Sequence, residues 1–430
     1  MNASPVLSEI QIALCIVALL MAPLACAGLA LINSGLGRAR SAAHAMTGAL
    51  CVISVAACVY VICGRSWQGF AGEPSHIFFV GGKPWSWVGA SPLFFIRLPF
   101  DGSPAFLSAW MGMIAAGLCG LIPLGSGGER WRLGAICIST SVLAGWTLPL
   151  FAHWAWGGGW LSQLGANYGL GLGYTDAGGS GTIHTVGGLT ALSLAWLLGP
   201  RRGKFAHDGM PQAIPGHNAV YILFGCLLSL AGWTGLNAAG ALLFSGVQPG
   251  RLALIAVNTL LGASSAALAA AAITRTRFGK PDSSLIANGW VGGLVATSAA
   301  CAFLPPAAAI VIGLAAGAMV ALCVELFELH LDIDDPGGSV SVHAVAGIWG
   351  LLAGGALGRF PPGQLLAQII GIATLIGFML PMTFGLNWLL NRFAGMRISP
   401  DAERQGMDLA ELGAGAYPEF VTHTDDFMQR

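Results

Sequence analysis

An all-α protein that crosses a membrane many times is the fold class that this sequence predicts, and three observations lead to it. Of the 430 residues, 55% are hydrophobic and only 9% are charged, whereas soluble domains carry roughly 25% charged residues. The apolar residues fall into runs long enough to cross a bilayer, and the mean hydropathy is +0.73. One motif also occurs twice, in segments that are expected to run in opposite directions.

Eleven apolar segments are close to the length of about 20 residues that a spanning helix needs. They cover residues 8–32, 43–63, 104–124, 133–153, 180–199, 218–244, 251–273, 284–303, 306–329, 339–357 and 364–391. No basic stretch precedes the first segment, so we interpret it as a retained spanning helix rather than a cleaved signal peptide.

The Lys and Arg residues are distributed unevenly between the connecting segments. If the N-terminus lies outside, fourteen of the nineteen, including Arg430, fall in inside segments. Cytoplasmic loops of membrane proteins carry such an excess. We therefore expect a multi-pass protein of the inner or plasma membrane, with a transmembrane domain over residues 1–397 and a cytoplasmic region over residues 398–430.

The repeated motif is the most informative pattern in the chain. Residues 176–192 read DAGGSGTIHTVGGLTAL and residues 335–351 read DPGGSVSVHAVAGIWGL. In the expected topology, one copy starts at the outer end of a span and the other at the inner end. This predicts an inverted repeat of five plus five helices, over about 8–200 and 218–357, with one extra helix at 364–391.

Each copy of the motif places a histidine eight residues after its aspartate. Eight helical residues rise about 12 Å, close to the roughly 15 Å half-thickness of the hydrocarbon core. His184 and His343 should therefore approach the membrane midplane from opposite sides. A polar side chain at that depth is costly and usually functional. The two rings could line a narrow pore and share a proton, although histidines that only hydrogen-bond within a core would give the same pattern.

The aspartates and tryptophans each allow two interpretations. Asp176 and Asp335 precede Gly-Gly at a helix start, where a carboxylate caps free N–H groups, and Pro336 strengthens this interpretation for the second copy. Asp176 is the only acidic residue between positions 151 and 200 and could also attract a cation. The tryptophans of AHWAWGGGW, Trp156 among them, are more typical of an interfacial belt, although an indole face also attracts cations.

Together these segments resemble the ammonium transporters of the Amt/Mep/Rh superfamily, and their Amt branch in particular. The resemblance covers nearly the whole chain, in GLALINSGLGRAR, AHWAWGGGW, DAGGSGTIH, GWTGLNAAG, GKPDSSLIANG, DDPGGSVSVHAVAGIWG and GMDLAELGAGAYPEF. It implies a homotrimer of eleven-span subunits in the lipid bilayer, each with its own pore. In the family model, NH4+ is recruited outside and deprotonated, and NH3 crosses with or without a separate proton. Whether methylammonium is accepted stays open.

The resemblance also implies roles for individual residues. His184 and His343 match the family's twin pore histidines. Asp176 matches its essential aspartate, and Trp156 matches the tryptophan of the outer recruitment site. The tail resembles the segment that packs between subunits near the docking site of PII-type signalling proteins, so we expect it to be regulatory. A disordered polar tail beyond about Pro418 would also fit its composition.

Four positions depart from the family pattern. Gly240 stands where a recruitment-site serine is usual, and Leu236 where a gate phenylalanine is usual. In the third span, Trp110 and Ile114 fall near the expected gate phenylalanines. Aromatic faces contribute about 0.5–2 kcal/mol to cation binding, so these departures imply weaker recruitment.

A longer loop could compensate for these losses. Residues 161–175 exceed the usual family length, and two tyrosines of this loop, Tyr168 and Tyr174, are candidates to replace the lost contacts.

Two other functions fit some of these features. A weakened outer site would suit an ammonium sensor, which with so short a tail would need a separate signalling partner. Two histidines on facing spans could instead ligate a haem in a membrane cytochrome b, but their expected near contact argues against it. We expect no enzyme, no cofactor, no metal site and no nucleic-acid partner, because the ten cysteines lack a C-x-x-C pair and the net charge is zero.

Overall fold

The computed structural model describes residues 7–417 and is mostly helical, with very little sheet. Apart from a 3-10 turn at Leu93–Phe95, the helical segments in chain order are α1 (Glu9–Leu36), α2 (Ala39–Gln68), α3 (Pro104–Gly127), α4 (Leu133–Ala155), α5 (Leu164–Tyr168), α6 (Ser180–Leu198), α7 (Ala219–Phe244), α8 (Arg251–Phe278), α9 (Ser283–Ser298), α10 (Pro306–Leu331), α11 (Val340–Leu357), α12 (Gln364–Ala394), α13 (Pro400–Gln405) and α14 (Asp408–Leu412). The predicted all-α membrane class is confirmed.

Ten of these helices are long and apolar enough to cross a membrane, counted over residues 7–417. They coincide with ten of the eleven predicted spans. The remaining one, predicted at 284–303, corresponds to α9, which has 16 residues and a length of about 24 Å. Because a hydrocarbon core is about 30 Å thick, α9 is short for a spanning helix, and the count of eleven is not confirmed by length.

Local sequence signals explain where several helices begin. The side chains of Ser8, Ser103, Asn218 and Asp282 each accept a hydrogen bond from the backbone N–H three residues further on. Such N-caps satisfy donors that the first turn of a helix leaves free.

A two-stranded antiparallel hairpin interrupts the helices between α2 and α3. Strand β1 (Ser75–Val80) pairs with β2 (Lys83–Gly89). The turn consists of Gly81 and Gly82, with φ angles of 58° and 75°. Two residues with positive φ form the tight turn that matches the twist of a hairpin. This hairpin was not predicted, although the segment HIFFV-GG-KPWSWV contains the signal of two strands joined by a Gly-Gly turn.

The segments that connect the helices lie at two opposite ends of the bundle. We call the end with the β1–β2 hairpin the hairpin face and the end with residues 398–417 the tail face. On the hairpin face, Gln364 at the start of α12 donates to the Gly173 carbonyl (2.7 Å). On the tail face, Ile398 N donates to the Arg130 carbonyl (3.0 Å). Helices α6 and α11, which carry the repeated motif, run between these faces, and α6 is the most enclosed of the ten long helices in residues 7–417.

Candidate functional site

The two motif copies fold in the same way at their aspartates. Asp176 Oδ2 accepts from Gly181 N (3.1 Å), and Asp335 Oδ2 accepts from Val340 N (2.7 Å). In both copies the donor lies five residues after the carboxylate. Thr182 adds two hydrogen bonds of 2.7 Å to the first copy, from its N–H and its hydroxyl. Both carboxylates thus cap a helix start, as the motif spacing suggests.

The backbone conformation explains why the second residue of each Gly-Gly pair is a glycine. Gly179 has φ 85° and Gly338 has φ 64°, a region that side chains with a Cβ rarely adopt. Each glycine is followed within one or two residues by a π-helical turn, at Ser180–Thr185 and Val340–Val345. These turns contain His184 and His343, and such π turns are frequent at functional sites.

The glycine four residues after each histidine lets the two helices touch. A Cβ at Gly188 would overlap the backbone of Ala344, the residue after His343. A Cβ at Gly347 would overlap the hydroxyl of Thr185, the residue after His184. In each case the glycine of one motif copy contacts the residue after the histidine of the other copy. This reciprocal pattern is expected for two segments related by a two-fold axis. Small residues permit this close approach of spanning helices.

The two histidines meet in the interior of the bundle. Their ring centroids are 5.3 Å apart and the ring planes differ by 25°. His184 also stacks with Trp233 at 5.0 Å and 8°. Neither nitrogen of His184 has a hydrogen-bond partner among residues 7–417, and His343 Nδ1 is likewise unpaired there. The rings are therefore stacked in this structure rather than joined by a shared proton.

This stacking argues against a haem. Two axial histidines each direct one nitrogen at a metal ion between them, whereas the rings of His184 and His343 lie nearly face to face. The cytochrome alternative has no geometric support here.

Trp156 lies inside the protein beside Asp176. Its Nε1 donates to the backbone carbonyl of Asp176 (2.7 Å), and its ring stacks on Phe244 at 4.8 Å and 5°. At most 9% of Trp154, Trp156 or Trp160 is exposed. The interfacial-belt interpretation of these tryptophans is therefore wrong, because rings of the hairpin pack on Trp154 and Trp160, and α7 covers Trp156.

The buried position of Asp176 determines its electrostatics. Burial raises its pKa from 3.8 to about 6, against the lowering effect of the hydrogen bonds from Thr182 and Gly181. Its Oδ1 has no partner in the described part of the chain. A buried negative charge with an unpaired oxygen favours a nearby cation.

The structure explains the glycine at position 240. A Cβ there would overlap the Ala177 carbonyl oxygen and lie 3.0 Å from Met111 Cε. A serine would therefore not fit without a shift of the backbone. Met111 is fully buried and fills the space beside Gly240. Sequence reasoning missed this methionine, because its neighbour lies 129 residues away in the chain.

The other three positions that depart from the family pattern do not lie beside Gly240 in the same way. Leu236 is fully buried in α7, one turn from Trp233. Ile114 borders an apolar groove between α1, α2 and α3, and Trp110 is half-buried and packs against the core. Neither is among the atoms nearest to Gly240.

Only one of the two loop tyrosines approaches the Asp176 region. The Tyr168 hydroxyl accepts from Trp85 Nε1 (3.0 Å) in the hairpin. Tyr174 is buried, and a Cβ at Gly181 would overlap its hydroxyl. Burial and then the charge of Asp176 raise the pKa of Tyr174 well above 10.

Two further aromatic residues at the site were not predicted. Trp233 contacts His184, and Phe244 contacts Trp156. Both belong to α7, where Trp233, Asn237 and Gly240 follow the i, i+4, i+7 spacing of one helix face. That spacing is the signal that could have identified Trp233.

Known proteins of one family match this chain over nearly its whole length. The model of the Ammonium Transporter Family matches residues 12–417. Ammonium transporter Amt2 of Archaeoglobus fulgidus is 34% identical over 428 residues, covering 92% of this chain and 85% of that protein. Among solved structures, one named Sensor Amt Protein has a TM-score of 0.83 at 24% identity, covering 94% of this chain and 98% of its own. Mep2 from Candida albicans has a TM-score of 0.79 at 22% identity, with 97% and 92% covered. These two structures share the fold.

Proposed function

The chain belongs to the ammonium transporter family, and we propose that it carries ammonium across the membrane through a pore that passes the stacked histidines. The observation that supports this most is the meeting of two inverted motif copies at His184 and His343, 5.3 Å apart. Polar side chains at that depth are costly, and a route for a small polar substrate accounts for them.

Recruitment on the hairpin face uses charge and aromatic surface. Asp176 supplies the negative charge, and Trp156 with Phe244 supplies ring faces that attract cations. Because these rings are stacked on each other at 4.8 Å, a cation binds at an outward face rather than between them.

Deprotonation before conduction follows from the cost of burying an ion. An unpaired charge in a low-dielectric interior is strongly unfavourable, while neutral NH3 avoids this penalty. The unpaired nitrogens of His184 and His343 can accept from or donate to NH3 as it passes. The proton either follows a separate route past these rings or stays behind.

Ammonium jumps on purified protein in liposomes test this function. Current on a supported membrane and the pH inside the vesicles are recorded together, with protein-free vesicles as the control for passive NH3 entry. We expect internal alkalinisation faster than in the control, with current if a proton also crosses. Methylammonium in place of ammonium tests selectivity. No signal above the control would favour the sensor alternative.

We also propose the assembly and orientation that the family suggests. The protein forms a homotrimer in the inner or plasma membrane, with the hairpin face outside and the tail face in the cytoplasm. A PII-type regulatory protein is the expected partner of the tail face, near residues 398–417.

The tail closes onto two of the spanning helices. The Asp408 carboxylate accepts from His44 N (2.7 Å) in the first α-helical turn of α2. Glu411 accepts from Leu133 N (2.7 Å), the first residue of α4, and also lies 2.9 Å from His44 Nε2. Residues 398–417 thus cap two membrane helices. The tail also carries Glu419, Asp425 and Asp426, which lie outside the described residues.

Deleting residues 398–430 should lower transport while membrane insertion and trimer assembly persist, because the deletion uncaps α2 and α4. Asp408→Ala alone should reproduce part of the loss, since an N-cap contributes about 0.5–2 kcal/mol. Flux in liposomes and trimer elution on size exclusion measure the two effects.

Asp401→Ala serves as the matched control, because its side chain is exposed and pairs only with the neighbouring Arg404 in the described structure. Wild-type flux in the truncated trimer would contradict a regulatory role of the tail.

A further inference from the structure

Strand β1 exposes apolar side chains on both of its faces. Ile77, Phe78, Phe79 and Val80 follow one another and are all exposed, Phe79 to 73%. Successive strand residues point to opposite faces. A strand between water and a protein core alternates polar and apolar residues instead. The composition of β1 therefore suits an apolar environment that reaches both faces.

The other strand holds the hairpin against the protein. Trp85 of β2 stacks on Trp160 at 4.7 Å and 3°. Ser86 Oγ lies 2.9 Å from His153 Nε2 in α4. The hairpin is thus attached through β2, and β1 faces away from the helices.

A second segment on the same connection has the same character. Leu93, Phe94, Ile96 and Phe100 are all exposed, with Phe100 at 77%. This segment is not a strand, so the two segments share their composition but not their conformation. A protein partner would fit the shape of one of these segments, whereas lipid accommodates apolar side chains on segments of different conformation. The shared apolar composition is therefore better explained by contact with lipid.

The ends of the connection lie where two spanning helices leave the membrane. It begins after Gln68 at the end of α2 and ends before Pro104 at the start of α3. Near this end of α2, Trp67 packs edge-on against the partly exposed Trp146 at 5.7 Å. Tryptophans at this level are typical of the membrane boundary.

We propose that residues 75–100 form a shallow lipid anchor in the leaflet on the hairpin face. Phe78, Phe79 and Phe94 enter the boundary between headgroups and acyl chains, while Lys83 and Arg97 contact lipid phosphates. Aromatic side chains combined with basic residues are the composition that binds this boundary.

The depth of insertion is limited by the backbone. Within residues 7–417, β1 pairs with β2 alone, so its outer edge presents unpaired N–H and C=O groups. Such groups are not tolerated in the hydrocarbon core but remain hydrated at the headgroup boundary. A second copy of this chain could also pair with that edge, and the experiment distinguishes this outcome.

Photo-crosslinking in liposomes tests the anchor. Benzoylphenylalanine replaces Phe79 in the full-length protein, reconstituted in phosphatidylethanolamine and phosphatidylglycerol. After illumination, intact-protein mass spectrometry should show addition of one phospholipid mass. The matched control places the same residue at Leu172, which is also exposed and lies in the 161–175 loop on the hairpin face, outside the anchor. We expect no lipid adduct there.

Three results would overturn the proposal. Covalent pairs of subunits from position 79 would assign β1 to a contact between copies. Unmodified protein at position 79, or equal lipid adducts at positions 79 and 172, would show that the hairpin has no specific lipid contact. Because Phe79 is exposed, its replacement should leave folding intact, which size exclusion checks. The outcome is independent of whether the protein transports ammonium.

Discussion

Replacing His184 and His343 together with leucine is expected to reduce the ammonium-dependent current to that of protein-free vesicles. The unpaired ring nitrogens are polar groups in the middle of the bundle, where leucine offers neither a donor nor an acceptor. A proton could then no longer pass this level. Uncharged NH3 could still cross, so vesicle alkalinisation without current is the expected signature.

Folding of the double variant should be retained, since an apolar side chain removes buried polar atoms without leaving partners unsatisfied. His207→Leu is the matched control, because His207 is exposed in the loop between α6 and α7, outside the spanning helices that carry the motif. An unchanged current in the double variant, with the control also unchanged, would show that no proton passes by way of these two rings.

Asp176→Ala should reduce both the yield of folded protein and the transport rate. The substitution removes the acceptor of three hydrogen bonds, from Gly181 N, Thr182 N and the Thr182 hydroxyl. Loss of an N-cap costs about 0.5–2 kcal/mol. Thermal stability in detergent and flux in liposomes measure the two effects.

Asp176→Asn separates the cap from the charge. Its amide oxygen can still accept from the two backbone N–H groups, but the negative charge is lost. We expect near wild-type stability with clearly lower transport. Asp335→Asn, at the corresponding position on the tail face, is the control and should affect transport less. If Asp176→Asn transports like wild type, only the capping role remains.

The sequence determined the parts of this protein that depend on local pattern. Apolar runs located ten spanning helices to within several residues, because crossing hydrocarbon imposes length and composition on each helix separately. The duplicated motif also placed His184 and His343 correctly together. Each histidine lies eight residues after the aspartate of its motif, and the two motifs run in opposite directions. This spacing was enough to predict that the two side chains meet.

Only the tertiary structure decided what covers each side chain. Trp156 has the sequence context of an interfacial residue, whereas its ring is buried against Phe244 and its Nε1 donates to the Asp176 carbonyl. From the sequence, Gly240 was interpreted as the loss of a serine hydroxyl. The structure shows instead that the carbonyl of Ala177 and the side chain of Met111 leave no room for a side chain at this position. These partners are distant in the chain and come from different helices. A local pattern reports which face of a helix is apolar, but burial depends on which other segment packs there, and that is fixed by the fold as a whole.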